Sequence, residues 1–202
     1  MHIIEPPKLG QWTNQQLFKL KHEGNYSLLQ SHENSVKEYM YGFVKNSNWK
    51  IEQSYLREVL IALNLNYQNK KVLLLGSGST ISSQSKEKWE NDTWQPYLAR
   101  ALSHFGIEVH AVDLGIFENE PFIGHSEIDL GLKTDISNLV NRLTKKSFDV
   151  VGSFNLLVSP SISKQTVETV YTNCINLSAY CLRRNGIYLS DMNLNEALMH
   201  KK

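Results

Sequence analysis

Apolar residues fall into two regimes along this chain, and the change comes near residue 70. Before it, spacing is helical and no strand-like run occurs. "TNQQLFKLKHE" and "SVKEYMYGFVKN" carry short helical patterns, with breaks at Pro6–Pro7, Gly24 and Asn25. "NWKIEQSYLREVLIALNLN" is the clearest helix: Ile51, Tyr55, Val59 and Leu63 recur every four residues, and Leu56 and Leu60 widen the stripe. Such a face is expected to pack directly on the sheet that follows it.

After residue 70 the pattern alternates strand and helix. Val72–Leu75 is apolar at every position, as a strand covered on both faces must be. "TWQPYLARALSHFG" predicts a helix with Pro96 in its first turn, Leu98, Leu102 and Phe105 as its buried stripe and Gly106 as its stop. "IEVHAVDL" predicts a strand ending at Asp113. "DISNLVNRLTKKS" predicts a short helix introduced by Asp135 as a cap. "FDVVGSFNLL" is a third strand, "KQTVETVYTNCINLSAYCLRRNG" a long helix closed by Asn185–Gly186, and "GIYLSDM" a last strand.

Alternation of this kind predicts an α/β fold with three layers, a mostly parallel sheet between two layers of helices, and Val72–Leu75 as the central strand. Residues 67–202 are expected to form that core. Residues 1–66 are expected to be an N-terminal helical cap lying over the strand ends and packing on the core.

Composition narrows the class. In 202 residues, 41% are hydrophobic and 20% charged, the balance of a globular protein with a real core. The formal net charge is +1 and no basic stripe occurs, so no nucleic-acid partner is expected. The paired bases Lys70–Lys71, Lys145–Lys146, Arg183–Arg184 and Lys201–Lys202 stand at element ends, where they suit helix C-termini or solvent. No stretch approaches the roughly 20 apolar residues of a membrane span. "MHIIEPPKLG" lacks a basic and then apolar leader, so no secretory signal and a cytoplasmic location are expected. Cys174 and Cys181 lie two turns apart on one helix, about 10 Å, too far for a disulfide and suited to packing.

In a parallel sheet, ligands bind beyond the carboxyl ends of the strands. The first strand runs into Gly76-Ser77-Gly78-Ser79-Thr80, where glycines permit either a tight turn or close approach of backbone to a ligand. The second ends at Asp113, a carboxylate able to accept both hydroxyls of a ribose, or to cap the next turn. Asp135-Ile136 offers an acid for an adenine amino group beside an apolar ring contact, and Asp135 is equally an N-cap. Ser153, Phe154 and Asn155 would face the rest of a ligand or a substrate, and Asn155 also suits a turn ahead of Pro160. His125 is a candidate general base at the cleft mouth or a solvated loop residue, whereas His104 and His110 read as structural. Tyr39, Tyr41, Phe43 and Trp49 read as core beneath a helical cap.

From Val72 to Asp191 these pieces, in this order, resemble the class I S-adenosylmethionine-dependent methyltransferases, a Rossmann-like superfamily. "VLLLGSGST" is similar to the family's glycine loop, "VHAVDL" to its ribose-binding strand end and "LKTDIS" to its adenine-side loop. "FDVVGSFNLL" is similar to its fourth-strand motif and "LRRNGIYLSD" to the helix–turn–strand that follows. The resemblance implies S-adenosylmethionine as cofactor, held by Gly76, Ser77, Gly78, Asp113, Asp135, Ile136 and Asn155. The chain departs from the pattern at Leu74, where the family usually has an acid, and at Thr80, where a third glycine is common. "SSQSKEKWENDTW" looks inserted between loop and helix, and the two closing strands of the family sheet are expected to be absent, shortened or replaced.

Three functions follow, in this order. The first is methyl transfer to a small molecule, which needs no Ser-His-Asp or metal pattern because the cofactor carries its own leaving group. The second is a methyltransferase-like domain without activity, serving binding or partner recognition. The third is a nicotinamide-dependent oxidoreductase, against which Ile81 counts, standing where G-x-G-x-x-G requires its last glycine.

Overall fold

The computed structural model describes residues 15–16, 19, 22–23, 25–40, 49–80, 95–157, 159 and 162–200, with backbone only at 37–40, 49–52 and 200. Ile81, the "SSQSKEKWENDTW" stretch, Pro160, Tyr41, Phe43 and the side chains of Tyr39 and Trp49 lie outside the described residues. In chain order the elements are α1 (Tyr26–Met40), α2 (Trp49–Ala62), β1 (Lys71–Leu75), α3 (Tyr97–His104), β2 (Glu108–Asp113) and β3 (Gly124–Glu127). There follow α4 (Lys133–Arg142), β4 (Phe148–Ser153), α5 (Val167–Cys181), β5 (Leu182–Ser190) and α6 (Leu194–His200).

The five strands form one sheet in the order β3-β2-β1-β4-β5, and every neighbouring pair is parallel. With helices on both faces this is a three-layer αβα, Rossmann-like fold. Val72–Leu75 is central, between β2 and β4, as its unbroken apolar run predicts. Strand alternation then sorts the side chains. Val72, Leu74, Val109, Ala111 and Val150 face a core built with α1, α2 and α3. Leu73, Leu75, Val112 and Val151 face the other core, completed by Leu139 of α4, Cys174 and Leu177 of α5, and Ala197 of α6.

Helix α2 packs on the sheet through the stripe read from the sequence: Tyr55, Leu56, Val59 and Leu60 are buried in the first core together with Leu29 and Val36 of α1. Buried Glu33 of α1 receives both the Nε and Nη2 of Arg57 on α2, the second at 2.9 Å, which locks the two helices together. Helix α3 is enclosed on most sides, with Tyr97 to Leu102 all buried. It ends in a Schellman motif. Gly106 (φ +73°) donates to Ser103 O at 2.9 Å and Ile107 donates to Leu102 O at 3.4 Å, which is why Gly106 stops this helix.

Three elements differ from the sequence reading. Strand β3 was not expected, because "GHSE" has neither an apolar run nor strong strand formers. It is a four-residue edge strand with only Ser126 buried, held by its pairing with β2. His125 therefore stands on a strand, not in a loop. Helix α5 stops at Cys181, not at Asn185–Gly186, and Arg183 to Asn185 belong to an irregular start of β5. The register jumps there from Phe148↔Leu182 to Val150↔Ile187, so extra β5 residues loop out. Helix α4 has Leu132 as its N-cap and no side-chain cap, so Asp135 lies inside the first turn.

The bulge has a chemical reason. Buried Asp149 of β4 accepts the Lys71 N–H at 2.9 Å, pairs with Lys70 Nζ at 3.2 Å and pairs with Arg183. Lys70 and Arg183, though in part open to solvent, are thus counter-charges of one carboxylate that ties the amino ends of β1, β4 and β5 together. Asp149→Ala takes the acceptor from the Lys71 N–H and frees Lys70 and Arg183 toward solvent, and is expected to lower stability by about 1–2 kcal/mol, read as a lower urea midpoint at unchanged m-value. A loss below about 0.5 kcal/mol, the size of an ordinary surface substitution, would show that the cluster does not hold the sheet.

Candidate functional site

The carboxyl edge of the sheet carries the polar residues that the two cores exclude. At the end of β1, Gly76 and Ser77 donate their N–H groups to Val112 O at 2.8 and 3.2 Å, so the chain hugs β2 as it turns. Gly76 (φ +71°) and Gly78 (φ +78°) both lie in the left-handed region. A Cβ on Gly76 would sit 2.5 Å from Leu156 Cδ1. That glycine therefore serves contact with the loop after β4, and the space above it belongs to Leu156.

Asp113, the last residue of β2, closes the turn. Its Oδ2 accepts the Gly78 N–H at 2.9 Å and its Oδ1 the Gly115 N–H at 3.2 Å. Burial pushes its carboxyl above the usual range, and the N–H groups of Gly115, Gly78 and Leu114 work against that rise. Beyond Gly78, Thr80 is held from several directions. Its N–H donates to Ile116 O at 3.0 Å, its hydroxyl donates to Glu120, and the same oxygen accepts the Glu118 N–H at 3.1 Å. Glu120 in turn takes Arg100 of α3 in a two-bond fork of 2.7 and 2.8 Å, and Gln95 Oε1 accepts Arg100 Nη2 at 2.8 Å. A buried ion pair thus anchors the loop after β1 to α3 and to the loop after β2.

Gly76, Ser77, Gly78 and Asp113 are therefore brought together. Asp135 Oδ2 accepts the Asp129 N–H at 3.1 Å, so it stiffens the link between β3 and α4. Ile136 packs against the core of the second face. The acid immediately beyond β3 is Asp129, whose Oδ1 accepts the Gly131 N–H at 2.7 Å. Ile128, its neighbour, donates to Asp113 O at 2.7 Å. Ser153 and Phe154 are buried, Ser153 bonded to the Tyr188 hydroxyl at 2.7 Å and Phe154 stacked on Tyr55.

Asn155 (φ +56°) lies half-buried past β4, and two residues that the sequence reading left out join it. The Tyr55 hydroxyl is 2.8 Å from Asn155 Oδ1 and 3.1 Å from Asp191 Oδ2, and the Asn155 N–H donates to Asp191 Oδ2 at 2.8 Å. Asp191 directly follows β5, at a strand end like the other candidate residues. Tyr55 was hidden within the apolar stripe of its helix. In spatial order the five strand ends carry Asp129, Asp113, the glycine turn, Asn155 and Asp191.

Cys174 and Cys181 are both buried, and burial pushes their thiols up to about 12 and about 11, so neither is a nucleophile. Comparison with protein-family models, curated proteins and solved structures finds no match to this chain.

His110, in the middle of β2, bonds Ser126 Oγ of β3 through Nε2 at 3.0 Å. Burial, then the charges of His125 and Arg142, lower its imidazole to about 4. A folded value below the unfolded one, about 6.5, means that the unfolded chain binds the extra proton. Stability from this group is complete above pH 6.5 and is lost as pH falls toward 4, an effect on the order of 2–3 kcal/mol. His110→Gln is expected to flatten the stability profile across that window, measured by urea unfolding at a series of pH values. Parallel profiles for the two proteins would exclude His110 as the source.

Proposed function

We propose that the chain binds S-adenosylmethionine at the carboxyl edge of the sheet and transfers its methyl group to a small molecule. The observation that carries this reading is the junction of Gly78 and Asp113. A glycine turn after the central strand β1 meets an acid at the end of β2, next to the β1/β4 boundary where the chain crossings leave in opposite directions. The N–H groups of Gly78, Gly115 and Leu114 hold the Asp113 carboxylate in place, and a lone pair is left for a ribose hydroxyl. Leu114, 41% exposed, directly follows it and gives apolar surface for a flat ring. The residues present fit a nucleoside of this kind.

Leu156 fills the space over Gly76, so close approach of a ligand to backbone falls to Gly78 alone. The cofactor would supply a methyl group on a sulfonium, already a strong leaving group. The chain's part is to hold donor and acceptor in line and to keep water out. A net charge of +1 and the absence of a basic stripe favour a small acceptor over a nucleic acid. A second reading, a nucleotide-binding domain without turnover, is favoured by one observation: the amides of Gly76, Ser77, Gly78 and Thr80 are all satisfied within the protein.

At about 100 times the dissociation constant, S-adenosylmethionine or its demethylated product is expected to stabilise the protein by roughly 2.7 kcal/mol, seen as a raised melting temperature. Gly78→Val, checked for a native circular dichroism spectrum, is expected to abolish the shift. Asp113→Asn is expected to weaken binding about 10-fold or more, the worth of a bond to a charged acceptor. Calorimetric titration without heat at millimolar ligand would remove the methyltransferase reading, and a shift with NAD instead would favour an oxidoreductase. Binding without turnover over a panel of acceptors would leave the binding domain.

A further inference from the structure

Tyr55 has one hydroxyl hydrogen and two acceptors within reach, Asn155 Oδ1 at 2.8 Å and Asp191 Oδ2 at 3.1 Å. Its ring is fixed against Phe154, centroid to centroid 4.5 Å and 16° from parallel, so the hydroxyl stays where both oxygens can be reached. Asn155 adopts φ +56°, a conformation that asparagine tolerates better than most residues. In that conformation its N–H reaches Asp191 while its side-chain oxygen reaches Tyr55.

We propose that Asp191, Tyr55 and Asn155 form a proton-switching site at the carboxyl ends of β4 and β5, with Asp191 as the group that takes up and releases the proton. With Asp191 ionised, the phenol donates to Asp191 and the Asn155 N–H supplies a second donor. With Asp191 protonated, its O–H donates to Tyr55 Oη and the phenol turns its hydrogen to Asn155 Oδ1. In both states the Tyr55 hydroxyl and Asp191 stay bonded to each other and the Asn155 N–H stays on Asp191. Asn155 Oδ1 holds the phenol hydrogen only when Asp191 is protonated, and no heavy atom moves.

The surroundings suit the role. Burial raises the Asp191 carboxyl, the Asn155 N–H, the Tyr55 hydroxyl and Asp191's own N–H lower it, and the charge of Glu196 on α6 raises it. Glu58 lies one turn from Tyr55 on α2, and Tyr188 stands on β5. A carboxyl lifted toward neutrality is a stronger base than one left in water. The switch itself does not depend on the methyltransferase reading; only the source of the proton does. Under that reading, an acceptor gives up its N–H or O–H hydrogen to Asp191 as a proton and keeps the bonding pair. It forms the new bond to the methyl carbon while the carbon–sulfur pair stays on sulfur.

The test uses the full chain without cofactor, labelled with carbon-13 at aspartate carboxyls, and follows Asp191 by NMR through pH. The signal is assigned by its loss in Asp191→Asn. The wild-type midpoint is expected above the ordinary value of about 3.9. Tyr55→Phe removes a donor to the ionised form and is expected to raise the midpoint by roughly half a unit to one unit. Asn155→Gly keeps the backbone N–H and the positive φ but removes the acceptor used in the protonated state, so it is expected to lower the midpoint. Shifts of opposite sign are the signature. A purely structural cluster would move both variants in the same direction or neither, and that result, or an ordinary wild-type midpoint, overturns the switch. Should Tyr55→Phe fail to fold, the direction of the Asn155→Gly shift decides alone.

Discussion

Residues 72 to 75 are covered on both faces, and most of the architecture follows from that burial. Leu73 and Leu75 must meet α4, α5 and α6, while Val72 and Leu74 must meet α1, α2 and α3. Each buried leucine is worth about 1.5–3 kcal/mol relative to exposure, so neither layer of helices can be left out without exposing the central strand. The N-terminal helices are part of this arrangement. With α3 they form one of the two layers, and their position brings Tyr55 to the strand ends. A strand sealed on both faces has no room for polar side chains, which leaves the carboxyl edge as the place where chemistry can occur.

The sequence was legible wherever burial wrote itself into spacing. The all-apolar run at 72–75 placed the central strand, the four-residue repeat of Tyr55, Val59 and Leu63 placed α2, and Gly106 marked the end of α3. It was illegible where one distant partner decides the outcome. "GHSE" is a strand only because β2 offers it an edge. The helix before β5 ends early, where Arg183 pairs with Asp149 of the neighbouring strand. Asp135 looked like a cap, but the amide it satisfies belongs to Asp129, six residues before it.

The candidate site was legible in the same uneven way. Strand ends followed by glycine or acid pointed to Gly76, Ser77, Gly78, Asp113 and Asn155, because such residues interrupt an apolar pattern. Tyr55 does not interrupt its pattern. It occupies a core position and only its hydroxyl reaches the edge, so spacing cannot separate it from Val59. Glu120 gave no signal at all, yet it pairs with Arg100 and takes the Thr80 hydroxyl, fixing the far end of the glycine loop.

Asp113, Asp149 and Asp191 show how environment divides one residue type between two tasks. Asp149, at the amino edge, has Lys70 and Arg183 beside it as ion-pair partners. Asp113 and Asp191, at the carboxyl edge, have no cation against them among the described residues. Their partners are neutral: peptide N–H groups for both, and the Tyr55 hydroxyl for Asp191. Neutral donors offset burial only in part, so both carboxyls rise. A cation beside either one would hold it firmly ionised and fill the space a ligand needs. Leaving the charge compensation incomplete costs some stability, and it keeps at one edge of the sheet two carboxyls raised above their usual range, the kind of perturbed group that gathers at functional sites.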